Sequence, residues 1–165
     1  TFFLLLVLLP ATAVAQTFFA PLTGANEVPP GDPDGTGSAT IQLVGTTVNY
    51  TINVTNVTLP PTMQHIHSGA PGVNGPIVVD LPGAWVGGTL SGSTTTTPET
   101  AAAIASNAAS FYVNVHTTDF PDGAVRGQLG GIATTSNIPS LDERGLLALV
   151  AVLLVAGGVW LARRA

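Results

Sequence analysis

Val48-Asn49-Tyr50-Thr51-Ile52-Asn53-Val54-Thr55 alternates apolar and polar residues without a break, placing Val48, Tyr50, Ile52 and Val54 on one face and Asn or Thr on the other. Period-two alternation is the mark of a half-buried antiparallel strand. Ala39-Thr40-Ile41-Gln42-Leu43 alternates in the same way just before Gly45-Thr46-Thr47, so the two runs are expected to form a hairpin. Further strands are expected near Phe18–Leu22, Gln64–His67, Ile77–Leu81, Gly88–Ser93, Ser110–His116 and Ala124–Leu129. One helix interrupts them: Thr97 can cap, Pro98 suits the first helical position, Glu99 favours the first turn, and Ala101-Ala102-Ala103-Ile104-Ala105 has high propensity before Asn107. Many short strands with Gly and Pro turns and little helix predict an all-β domain, an antiparallel, Greek-key-like β-sandwich of about seven or eight strands, over residues 16–133.

The two ends follow a different pattern. Phe2 to Leu9 is an apolar run followed by Pro10 and Ala13-Val14-Ala15. That is the hydrophobic region and cleavage site of a secretory signal peptide, here residues 1–15, with the mature chain expected to begin near Gln16. Gly145 to Ala162 is continuously apolar and is closed by Arg163 and Arg164. About 18 residues at 1.5 Å rise span roughly 27 Å, enough for one transmembrane helix over 145–165 with its basic tail. Trp160 suits the interface, and the arginine pair is expected on the cytoplasmic side, which leaves the middle of the chain outside the cytoplasmic membrane.

Composition narrows the chemistry. The chain has 165 residues and no cysteine, so neither a disulfide framework nor a thiolate site is available. Between Gln16 and Pro139 the one basic residue is Arg126, against the acidic Glu27, Asp32, Asp34, Asp80, Glu99, Asp119 and Asp122. A nucleic-acid partner is excluded on that balance, because phosphate neutralisation needs clustered Lys and Arg. No nucleophile motif, phosphate loop or paired catalytic carboxylates occur, which favours a binding or structural module over an enzyme. Asp32 and Asp34, in Gly31-Asp32-Pro33-Asp34-Gly35, read as a solvated turn.

The histidines carry the remaining chemistry. His65 and His67 are one residue apart in an expected strand, so both rings share a face with Met63. His116 shares a face with Tyr112 and Asn114 in Tyr112-Val113-Asn114-Val115-His116, while Val113 and Val115 point the other way. Two readings stand side by side. His65, His67 and His116 converge as a metal site that selects copper, with Met63 as a soft axial contact and Arg126 near its mouth; or they belong to a hydrogen-bonded network that pins loops together without a metal. Arg126 also has an alternative role, pairing with Asp119 or Asp122 to lock the last turn.

Leu22-Thr23-Gly24-Ala25-Asn26-Glu27-Val28-Pro29-Pro30, the run from His65-Ile66-His67-Ser68-Gly69 to Gly75-Pro76, and Tyr112 to Thr117 with Phe120-Pro121-Asp122-Gly123 and Arg126-Gly127-Gln128-Leu129 together resemble the CHRD domain. That family is named for the repeats of chordin, a secreted antagonist of growth factors, and also occurs as single domains in exported bacterial proteins. The resemblance covers about Thr17 to Gly131; it implies a β-sandwich and an extracellular setting, and an extracellular protein or matrix partner is the alternative expected if the histidines hold no metal. The same segments are more faintly similar to copper-zinc superoxide dismutase, with His65, His67, His116 and Arg126 at the corresponding positions. A fourth histidine is missing, so the resemblance implies a copper-binding module before it implies a dismutase.

The tail, Ile138-Pro139-Ser140-Leu141-Asp142-Glu143-Arg144-Gly145 followed by the apolar run and arginine pair, resembles the Ile-Pro-Thr-Leu type of C-terminal protein-sorting domain of Gram-negative bacteria. Ser140 stands for the usual Thr and Arg144 for the usual Trp. On that likeness Ile138, Pro139, Ser140, Leu141, Glu143 and Gly145 form a sorting motif, residues 134–144 are linker and motif, and a sorting protease is a partner. The implied location is the cell envelope or surface, with the helix as an anchor unless it is cleaved.

Overall fold

A computed structural model describes residues 15–135. The expected signal segment up to Val14, the sorting motif and the apolar run from Gly145 to Ala162 lie outside those residues, and Ala15, the expected last residue of the signal, opens the first strand. Among the described residues no helix is long and apolar enough to cross a membrane.

The described chain folds as β1 (Ala15–Thr23), β2 (Thr36–Val44), β3 (Thr47–Thr55), β4 (Met63–Ser68), β5 (Ile77–Asp80), β6 (Thr89–Thr95), α1 (Pro98–Ser106), β7 (Phe111–His116), β8 (Val125–Gln128) and β9 (Gly130–Thr135). The expected hairpin is β2–β3, closed between Val44 and Thr47, with Gly45 at φ +59° taking the left-handed turn position that an L side chain rarely adopts. α1 begins as its sequence dictates: the Thr97 hydroxyl accepts from the Thr100 amide at 3.2 Å, and Pro98 follows at the first position. Ala101 and Ile104 are its buried face.

The domain is all-β and antiparallel, but hydrogen bonding joins its strands into a single sheet in the order β5-β4-β7-β8-β1-β2-β3-β6, with β9 also on β1. The two sheets expected from the sequence are connected by the length of β1. Along one side it pairs with β2 from Ala15 to Thr23; along the other it meets β8 at Thr23 and β9 from Ala15 to Phe19. A strand shared in this way curls the sheet into a nearly closed, barrel-like shape. β9 was not among the expected strands; its opening Gly130-Gly131 and its Thr134-Thr135 end carry no apolar alternation.

Inside the curl lie Phe18, Leu22, Ile41, Ile52, Ile66, Val113, Val115, Val125 and Leu129, all at or below 1% exposure. Each such side chain contributes about 1.5–3 kcal/mol by burial. Ile66 and Val113 are therefore fixed inward, and the period of two then turns His65, His67, Tyr112, Asn114 and His116 to the other face. That outer face is also covered, because every residue of β7 is buried. The cover comes from the loop around Glu27, whose carboxylate accepts from Asn114, and from the Gly69–Pro76 loop, whose Gly69 amide donates to Ser110 O at 2.8 Å.

Candidate metal centre

The register across β5, β4, β7 and β8 lays out the site as a grid. Asp80 stands opposite His65, His65 opposite Asn114, and Asn114 opposite Arg126; one row along, His67 stands opposite Tyr112; one row the other way, Met63 stands opposite His116. The three histidines surround the Asn114 position. Ring centroids are 5.6 Å apart for His65 and His67, 5.3 Å for His65 and His116, and 6.5 Å for His67 and His116. One ligand nitrogen from each lies within 4.8 Å of those of the other two. The sequence-derived convergence of His65, His67 and His116 is thus a feature of the fold.

Hydrogen bonds fix which nitrogen is occupied in two of the three rings. His67 Nδ1 is 2.9 Å from Gly75 O and His116 Nδ1 is 2.9 Å from Pro121 O. A carbonyl only accepts, so both Nδ1 atoms donate, and each Nε2 keeps its lone pair. His65 Nε2 lies 3.7 Å from Asp80 Oδ1, beyond hydrogen-bond length, and its Nδ1 is buried without a partner. Among the described residues the buried side-chain polar atoms with no hydrogen-bond partner are His65 Nδ1, His67 Nε2, His116 Nε2, Asn114 Oδ1 and Glu27 Oε1. All five belong to this one cluster. Buried polar atoms are ordinarily paired, and a concentration of unpaired acceptors is what a cation site requires.

Burial pushes the pKa of His65 down, and the neighbouring charges of His116 and His67 push the same way against Asp80. Burial lowers that of His67 as well, against the hydrogen bond to Gly75. Neutral imidazole is the ligating form. An N-donor set of this kind suits copper, zinc and neighbouring borderline ions rather than calcium or magnesium.

Met63 sits at the rim, 48% exposed, and with Thr62, Gln64, His65 and Asp80 it lines an open pocket of about 240 Å³. The way in to His65 is on that side. Arg126 is on the far side and is 1% exposed. Its Nη2 donates to Ala70 O at 3.1 Å and Val73 O at 2.9 Å, its Nη1 donates to Asn74 Oδ1 at 3.1 Å, and its Cζ lies 3.3 Å from the centre of the Tyr112 ring. Neither Asp119 nor Asp122 is its partner; Asp119 accepts from the Thr58 hydroxyl instead. Arg126 instead supports the site. The loop it clamps carries Gly75, whose carbonyl orients His67 and whose amide donates to the Tyr112 hydroxyl at 3.2 Å, and Tyr112 stacks on His67 at 4.9 Å and 8°.

Two contributors carried no chemical signal in the sequence. Asp80 becomes visible only once β5 is paired with β4. Glu27, 5% exposed, reaches the site from the loop after β1 and accepts from Asn114 Nδ2 at 3.3 Å. Gly123 makes room for it: a Cβ there would lie 2.6 Å from the Glu27 carboxyl, and φ is +142°.

The CHRD domain family profile matches residues 18–129, and the chain belongs to that family. No curated protein and no solved structure matches the chain.

Proposed function

We propose that this CHRD domain is a metal-binding module that holds copper through His65, His67 and His116. The observation that supports it is the coincidence of three imidazole nitrogens within 4.8 Å with the buried unpaired atoms of the same rings. A network made only to pin loops uses both nitrogens of a buried ring or exposes one; here His67 and His116 each spend Nδ1 on a loop carbonyl and keep Nε2 unpaired. Copper is preferred to zinc for its higher affinity at an N-donor site and for the thioether of Met63 at the rim. A dismutase-like reading is weaker, since the chain has three histidines and Arg126 has committed its donors to the Gly69–Pro76 loop.

The module is exported, with the domain outside the cytoplasmic membrane and the apolar run of 145–162 as anchor or as a sorting tag removed by a protease. The apolar ends and the Ile138-Pro139-Ser140-Leu141 motif support that placement. Equilibrium dialysis of the purified protein against copper, zinc, calcium and magnesium tests the binding. One equivalent of copper retained, with calcium and magnesium lost, is expected; retention of calcium in place of copper contradicts the reading.

A further inference from the structure

The three imidazoles account for three of the five unpaired buried atoms. The other two are oxygens, Asn114 Oδ1 and Glu27 Oε1, on residues 4% and 5% exposed. They sit on hydrogen-bonded residues: Asn114 donates its Nδ2 to Glu27 Oε2 at 3.3 Å, which leaves Oδ1 and Oε1 without partners. Asn114 is opposite His65 in register and shares its strand face with His116, so its side chain adjoins two of the three ligands. Glu27, by contrast, is not in the set whose ligand atoms lie within 4.8 Å of one another. Its carboxylate is therefore outside the ligand set. A three-nitrogen set also leaves a four-coordinate ion one position short.

We propose that the ion carries a water as its fourth ligand, and that this water donates its two hydrogens to Asn114 Oδ1 and Glu27 Oε1. One ion and one water then satisfy all five atoms. The inference rests on the metal-binding reading and extends it: the site has one exchangeable position, and the ligand class it takes is a small anion or oxygen donor.

The test uses the full-length protein loaded with one equivalent of copper(II). Electron-nuclear double resonance in H2O and D2O reads the protons of a coordinated water, and azide titration reads the exchangeable position through its charge-transfer band. The wild type is expected to show strongly coupled protons that vanish in D2O, and to bind azide. Asn114→Leu and Glu27→Leu each remove one acceptor and are expected to tighten azide binding roughly fivefold, as the displaced water is held by one hydrogen bond fewer. Copper bound without exchangeable water protons overturns the proposal and leaves the metal site standing. Azide affinity unchanged in both variants removes Asn114 and Glu27 from it. Should a variant fail to fold, the wild-type proton spectrum still decides. Absence of copper binding by the wild type overturns the metal-binding reading itself, and this inference with it.

Discussion

His65 and His116 meet edge to face with ring centroids 5.3 Å apart, although in register His65 stands opposite Asn114 and His116 opposite Met63. They are diagonal neighbours across β4 and β7, and that diagonal turns a His-X-His pair into a three-cornered site. The corner stays closed because each strand is held inward by its apolar neighbours, Ile66 on one and Val115 on the other.

Arg126 is expected to act on the metal site without touching it. Arg126→Lys keeps the charge and loses the fork that holds Ala70, Val73 and Asn74. We expect a loss of about 2 kcal/mol in stability by urea denaturation, from charge-assisted hydrogen bonds. Copper affinity is expected to fall about tenfold, because the Gly75 carbonyl no longer fixes His67. Unchanged copper affinity in a destabilised variant would confine Arg126 to the fold.

Much of this was legible from parity alone. Alternation in β2, β3 and β7 is forced by a core on one side, and the same alternation put His65 with His67 and His116 with Asn114. What parity cannot show is what covers the second face. Glu27 is a single carboxylate in a loop that the Gly31–Gly24 hydrogen bond closes and the hydrogen bond from Asp32 to Ala124, residues remote in sequence, brings over β7. Arg126 was expected near the mouth of the site; its burial follows from the Gly69–Pro76 loop folding over it. β9 was missed because it is held by backbone pairing with β1, which leaves no trace in side-chain pattern.

The metal-free protein is expected to respond to pH through two opposed groups. Burial pushes the Glu27 carboxyl from 4.5 up to about 7, against the pull of the Arg126 charge. Between those values the folded state holds a proton that the unfolded chain has released, so this contribution to stability is complete below about 4.5 and is lost as pH rises to about 7. His65 and His67 work the other way. Their lowered pKa values mean that the unfolded chain takes up protons the folded state refuses, and stability falls as pH drops below the unfolded imidazole value of 6.5. Glu27→Gln is expected to stabilise by roughly 2 kcal/mol more at pH 8 than at pH 5. Equal effects at the two pH values in urea melts would show that Glu27 is not held protonated.

Copper is expected to stabilise the fold, since the ligand geometry exists only when β4 and β7 are paired. Free copper at a hundred times its dissociation constant adds about 2.7 kcal/mol, a rise of roughly 10 °C in Tm for a domain of this size. Differential scanning fluorimetry with copper, then with excess EDTA, checks this; a Tm that does not move with copper, or is not restored by chelation, speaks against native-state binding.

The central claim is that His65, His67 and His116 are one site, and calorimetric titration of copper into the wild type, His65→Ala and His116→Ala tests it most directly. The wild type is predicted to bind one equivalent. Each variant is predicted to lose at least about a hundredfold in affinity, since even supporting residues cost ten- to a hundredfold. Copper binding of wild-type strength in both variants would contradict the account, and so would a wild type that takes up no copper.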